Sequence, residues 1–117
     1  MACARIADEK KGRDIAVRQV AGILDIADYF VLASGSNRRQ VQSIAEEIGR
    51  RARREGWRAR IEGQAGGWWA LLDFGAVVVH VFQEEARRYY DLDLLWADAP
   101  LVEWAEVSGA RRSASAL

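Results

Sequence analysis

WWALLDFGAVVVHVFQEEARRYYDLDLLW, residues Trp68 to Trp96, decides how the rest of this chain is read. Two short apolar runs, Trp69–Leu72 and Val77–Phe82, flank Asp73-Phe74-Gly75-Ala76. These are the residue types a tight turn needs, so this segment predicts a β-hairpin. The second run is apolar at nearly every position, as a central strand covered on both faces requires. Alternation puts Val78, His80 and Phe82 on one of its faces and Val79 and Val81 on the other. The hairpin passes directly into Glu84-Glu85-Ala86-Arg87-Arg88, acids first and bases last, the order that complements a helix dipole. Asp91 stands where it can cap a further short turn carrying Leu92, Leu94, Leu95 and Trp96, of which Leu95 and Trp96 are expected in the core.

Working outward, the best-defined helix by pattern begins after Ser34-Gly35-Ser36-Asn37. Asn37 is a suitable N-cap, with Gln40 three residues on in the capping-box position. Val41, Ile44, Ala45, Ile48 and Ala52 then form one continuous apolar stripe, and Gly56 is a suitable left-handed stop. Residues 3–12 read as a short helix ending at Gly12, and Asp14–Val20 and Tyr29–Ser34 as strands. Gly22–Ala27 connects those strands and is expected to pack down through Ile23, Leu24 and Ile26. Trp57, Ala59 and Ile61 alternate with Arg58 and Arg60 as a half-exposed strand, and Gly63–Gly67 reads as a flexible loop. Leu101–Val107 is expected to lie against the domain through Leu101, Val102 and Trp104. The stretch 108–117 reads as a disordered tail, leaving 3–107 as one domain. Strands alternating with helices in this order give an α/β sandwich around one mixed sheet of about five strands.

A chain of 117 residues, half of them hydrophobic and only one a proline, has enough material for a single core. No apolar run approaches the ~20 residues that span a bilayer. No signal or transit segment is legible, which points to the cytoplasm. The single cysteine, Cys3, has no internal disulfide partner and is expected near a frayed terminus as an inert thiol. The formal net charge is zero, which argues against a general nucleic-acid binder. The balance hides an asymmetry. Residues 38–60 hold eight arginines against three glutamates, and residues 84–106 hold seven acids against two arginines. An acidic segment of that kind speeds docking of a basic partner, although two ordinary solvated faces give the same pattern.

The string WALLDFGAVVVHVFQEEARRYYDLDLLW, followed by Asp98-Ala99-Pro100, resembles the C-terminal half of the ribosomal silencing factor family, the Iojap-like proteins. DIADYFVLASGSNRRQVQSIAEEI, Asp25–Ile48, resembles that family's N-terminal half in the same order and spacing, so the resemblance covers residues 5–104. Ala76 departs from it, because family members usually carry an acidic residue after the turn glycine. The resemblance implies a single α/β domain of nucleotidyltransferase-like topology that works by binding, with no cofactor and no metal. It implies a partner, the large ribosomal subunit, held through its protein numbered fourteen (uL-fourteen) on the face that meets the small subunit. Occupying that face blocks subunit joining and silences translation, particularly under starvation. A homodimer in the free state is also implied, and rRNA contact is secondary.

On that reading the partner-binding residues are Trp69, His80, Glu84, Arg87, Tyr90, Asp91 and Asp93. Tyr90 supplies aromatic area; Glu84, Asp91 and Asp93 steer a basic partner; Arg87 is free to pair with Glu84 one turn back in the helix. Trp69 suits an interface anchor or core packing equally. A lone histidine on an apolar strand face is more often a hydrogen-bonded structural residue than a ligand, and no second zinc ligand accompanies His80. Asp73-Phe74-Gly75 spells a kinase triplet without the other kinase elements, so it is a turn. Gly35-Ser36 before a helix suits a phosphate, but no Asp-x-Asp pair stands on the next strand, and Asp91-Leu92-Asp93 is helical in context. A nucleotidyltransferase-like enzyme, a subunit-assembly factor and an rRNA-binding module using the arginines of 38–60 are the alternatives.

Overall fold

The structure, a computed structural model, describes residues 2–23 and 27–104, with the side chains of Leu92 and Leu95 excepted. Its elements in chain order are α1 (Ala2–Glu9), β1 (Arg13–Gln19), β2 (Tyr29–Gly35), α2 (Arg38–Arg54), β3 (Arg60–Glu62), β4 (Trp69–Asp73), β5 (Val77–Gln83), α3 (Glu84–Tyr89), α4 (Leu92–Leu95) and β6 (Leu101–Val102). They form one mixed sheet of six strands in the order β3-β4-β5-β2-β1-β6. One strand more than expected is present because Val17 and Arg18 pair with Val102 and Leu101 at the sheet edge. A two-residue strand is too short to show a period in sequence.

The hairpin sits at the centre. β5 pairs antiparallel with β4 and parallel with β2, from Tyr29↔Val77 to Gly35↔Gln83. Its turn forms as its residue types require: Asp73 Oδ1 accepts from the Gly75 N–H at 2.8 Å, and Gly75 takes φ 93°. Val79 and Val81 face one layer, where the Val41–Ala52 stripe of α2 and Cys3, Ala4, Ile6 and Ala7 of α1 pack on Val31, Ala33, Ala70 and Leu72. Val78 and Phe82 face the other, with Phe30, Leu32 and Ala86. Two helical layers thus cover opposite faces, α1 and α2 on one and α3 with α4 on the other.

α2 begins where its capping residues place it. Asn37 Oδ1 accepts from the Gln40 N–H at 2.8 Å, and Gln40 Oε1 accepts from the Ser36 N–H at 2.7 Å, one residue earlier than a standard capping box. Gln40 Nε2 also donates to the carbonyls of Lys10 and Lys11, tying α1 to α2.

Several local expectations are corrected. Cys3 is fully buried on the inner side of α1, so it is not at a frayed end; burial pushes its thiol up to about 12. Ile23 is 53% exposed and does not pack down, while Leu24 and Ile26 lie outside the described residues. The half-exposed strand shrinks to Arg60–Glu62, all exposed, with Trp57–Ala59 before it outside any strand. Gly63–Gly67 is pinned: the Ala65 carbonyl accepts from Gln42 Nε2 and Arg38 Nη2, and Gln83 Nε2 donates to the Gly67 carbonyl at 2.7 Å. A Cβ on Gly67, at φ 65°, would lie 2.8 Å from the Arg38 carbonyl oxygen, so only glycine fits that approach. Leu101 is 65% exposed, whereas Val102 and Trp104 do pack on the core. The 105–107 part of the last segment and the 108–117 tail lie outside the described residues.

Candidate functional site

The face of the sheet under α3 and α4 is aromatic and only partly covered. Trp69 on β4 pairs in register with Phe82 on β5, and its indole Nε1 donates diagonally to His80 Nδ1 at 3.2 Å. His80 lies between Phe30 and Trp96, with ring centroids at 4.7 and 5.2 Å. Tyr90, 48% exposed, stands 6.0 Å from Trp69 and 4.9 Å from Tyr89, ring centre to ring centre. Trp69, Leu71 and Trp96 are half-buried there, and Tyr89 and Leu94 are exposed at 76% and 68%. Trp69, His80 and Tyr90 therefore form one cluster. Trp96 joins it as the cover of His80, half-buried where a core position was expected.

His80 is 4% exposed, and burial lowers its pKa to about 4, so the ring is neutral at ordinary pH. Because Nδ1 accepts from Trp69, the proton is assigned to Nε2, which among the described residues meets no hydrogen-bond partner.

The second cluster is polar and centres on Arg87. Its Nε and Nη2 donate to the Asp93 carboxylate as a fork, at 3.0 Å to Oδ2 and 2.8 Å to Oδ1. Its Nη1 donates to the Ser34 hydroxyl at 2.8 Å and to the Asp14 carbonyl at 2.7 Å. The guanidinium carbon lies 5.4 Å from the centre of the Phe82 ring, and the residue is 8% exposed. Asp14 can offer its carbonyl because β1 shifts register between Arg13 and Ala16, with Asp14 at φ 49°. The Arg87 guanidinium lowers the Asp93 carboxyl below the usual carboxylate range.

The expected Arg87–Glu84 pair is not made. Arg87 is engaged by Asp93, Ser34 and Asp14, and Glu84 faces Arg13 at 3.6 Å. Nor does Asp91 cap α4 through its side chain: it takes a left-handed conformation, φ 52°, and is exposed at the α3–α4 junction. Such a backbone, unusual outside glycine, lets the chain reverse so that Asp93 returns to Arg87 while Tyr90 points outward. Ser34 and Asp14 were not marked by sequence reasoning. A serine at the end of an apolar strand and an aspartate opening another carry no local signal of a shared arginine.

Among the described residues no His/Cys/Asp/Glu group is arranged to hold a metal ion, and no helix is long and apolar enough to cross a membrane. The fold and this face define a small mixed-sheet α/β domain with a partly exposed aromatic cluster on one face of the sheet. A sequence profile for the ribosomal silencing factor during starvation matches residues 1–116, and the chain belongs to that family. It is 43% identical to the ribosomal silencing factor of Halalkalibacterium halodurans over 97 residues, 82% of this chain and 83% of that protein. Identity to the Bacillus subtilis ribosomal silencing factor is also 43% over 97 residues, covering 82% of each chain. A crystal structure of a Bacillus halodurans protein superposes with a TM-score of 0.77 at 37% identity, covering 87% of this chain and 93% of that one.

Proposed function

We propose that this protein represses translation by binding the large ribosomal subunit through uL-fourteen and blocking, by its bulk, the joining of the small subunit. The observation that carries the reading, beside family membership, is the partly exposed aromatic cluster of Trp69 and Tyr90, with the exposed Asp91 next to Tyr90 at the α3–α4 junction. Half-buried aromatics anchor interfaces, and acidic rims raise the on-rate of a basic protein. The action is binding, with no bond made or broken. It takes place in a bacterial cytoplasm, and the free protein is a homodimer that covers part of the same apolar face. The test is capture from a lysate on immobilised protein: large subunits are retained and joined ribosomes are not. Retention of joined ribosomes in proportion to large subunits would refute the block on joining.

A further inference from the structure

The fold turns the charge asymmetry of the sequence into an asymmetry across the sheet. The acid-rich α3–α4 layer covers one face, and arginine-rich α2 covers the other. All six cations of α2 are arginine, the side chain whose planar fork suits phosphate oxygens. With the Val41–Ala52 stripe turned to the sheet, Arg39, Ser43, Glu46, Arg50, Arg53 and Arg54 fall on the outward ridge at 3.6 residues per turn. Glu46 divides that ridge, so positive charge concentrates towards its C-terminal end, where residues 50–60 hold six arginines against Glu55.

Two of these arginines are neutralised within the protein. Glu47 accepts from Arg50 at 2.6 Å and Arg51 at 2.7 Å, and Glu9 accepts from Arg51 at 2.7 Å. Arg53, Arg54 and Arg58 are exposed and, among the described residues, their guanidinium groups make no ion pair or hydrogen bond. The helix dipole favours Arg53 and Arg54 in the last turn. It does not account for Arg58, which lies beyond the helix. Between Arg54 and Arg58 in sequence stands Trp57, 39% exposed, its backbone N–H held by the Ala52 carbonyl at 2.9 Å. Cations flanking an exposed tryptophan in sequence are the elements of a single-stranded nucleic-acid contact. Arginines hold phosphates and the aromatic ring stacks a base.

The geometry points to Arg53, Arg54, Trp57 and Arg58 as a site for a single-stranded segment of RNA, bound without sequence preference on the side of the domain opposite the acidic edge. The contact is weak and salt-sensitive, and it does not depend on the large-subunit reading.

The test is fluorescence anisotropy of a labelled, unstructured single-stranded RNA with the full chain across a salt series. Three phosphates neutralised give a log–log slope near −2, so affinity falls roughly 20-fold between about 50 and 200 mM salt. The Arg53→Gln, Arg54→Gln, Arg58→Gln variant is expected to lose at least tenfold at low salt and to flatten the slope. Trp57→Ala is expected to lose roughly fivefold or more, with Trp57→Phe restoring most of it. A charge-matched control, Lys11→Gln, Arg13→Gln, Arg88→Gln, should bind within twofold of the parent. The proposal is overturned if the parent binds no RNA at low salt, if the control loses as much as the ridge variant, or if Trp57→Ala binds unchanged. It is equally overturned if polyglutamate of the same length competes as well as RNA, which would make the site a protein contact.

Discussion

Trp69 and His80 are joined across the hairpin by a hydrogen bond, indole Nε1 to imidazole Nδ1 at 3.2 Å, two residues out of register. The bond fixes which way the half-buried indole lies and which imidazole nitrogen is protonated. It makes His80 part of the support for the exposed aromatics and leaves it poorly placed to accept a second proton. Buried to 4% exposure with its pKa lowered to about 4, His80 binds a proton in the unfolded chain at a pH where the folded ring stays neutral.

The sign of the pH dependence follows. Between pH ~6.5 and ~4 the unfolded state takes up more protons, so stability is full above that window and is lost as pH falls through it, by up to about 3 kcal/mol. Thermal unfolding at pH 7.5 and 5 should differ clearly in the parent and much less in His80→Gln. Equal pH dependence in both proteins would mean that other groups carry it.

A second expectation concerns the two ends of the Arg87–Asp93 pair. Arg87 is buried and its loss strands the Ser34 hydroxyl and the Asp14 carbonyl, so Arg87→Ala should cost ~2–4 kcal/mol in urea unfolding. Asp93 is 56% exposed on its side chain, where water replaces the lost partner, so Asp93→Asn should cost ~1 kcal/mol or less. Large-subunit binding should rank differently. Asp93→Asn frees the α4 turn that sets Tyr90, and on this account it weakens binding more than it weakens the fold. Proportional losses in both measurements would make the pair purely structural.

That pair also shows where sequence reasoning stops. The hairpin, the α2 stripe, its Asn37 cap and the two faces of β5 were legible because each depends on residues within a few positions of one another. Arg87 was paired with Glu84 by the same local logic, yet its fork goes to Asp93 six residues on, and its other partners lie 53 and 73 residues away at Ser34 and Asp14. Once the sheet forms, those two groups sit beneath the start of α3, and a buried guanidinium satisfies donors that an exposed i, i+3 pair would not. Trp69, His80 and Tyr90 were found as candidates, but their meeting in one cluster required the β4–β5 register. Cys3 was misplaced because eight residues of weak amphipathic helix gain their burial only from α2 and the sheet.

The free protein should self-associate. Tyr90, Leu94 and the half-buried Trp69 leave apolar surface that a second copy would cover. Sedimentation at tens of micromolar is expected to give a dimer, and Leu94→Asp should shift it towards monomer. A parent that stays monomeric at that concentration would remove self-association from the account.

The surface that grips the large subunit is decided by setting the two charged layers against each other. On the proposed reading Tyr90 supplies area that becomes fully desolvated, so Tyr90→Ala should cost ~2 kcal/mol, roughly a 30-fold rise in Kd. Asp91 is exposed and unpaired in any ion pair among the described residues, so it acts by steering; Asp91→Asn keeps a residue that tolerates φ 52° while removing the charge. Combined in one variant, the two changes should lower the on-rate, reduce its salt dependence and raise the off-rate. Neutralising Arg50, Arg51, Arg53 and Arg54 should weaken the RNA contact yet leave most of the large-subunit affinity. The arginine layer faces away from the aromatic cluster, on the other side of the sheet. Arg50 and Arg51 also hold Glu47 and Glu9, so that variant's unfolding midpoint must be measured beside its binding. If the folded arginine variant no longer binds large subunits while the Tyr90→Ala, Asp91→Asn variant binds as the parent does, the protein is held through rRNA and the aromatic edge serves another partner.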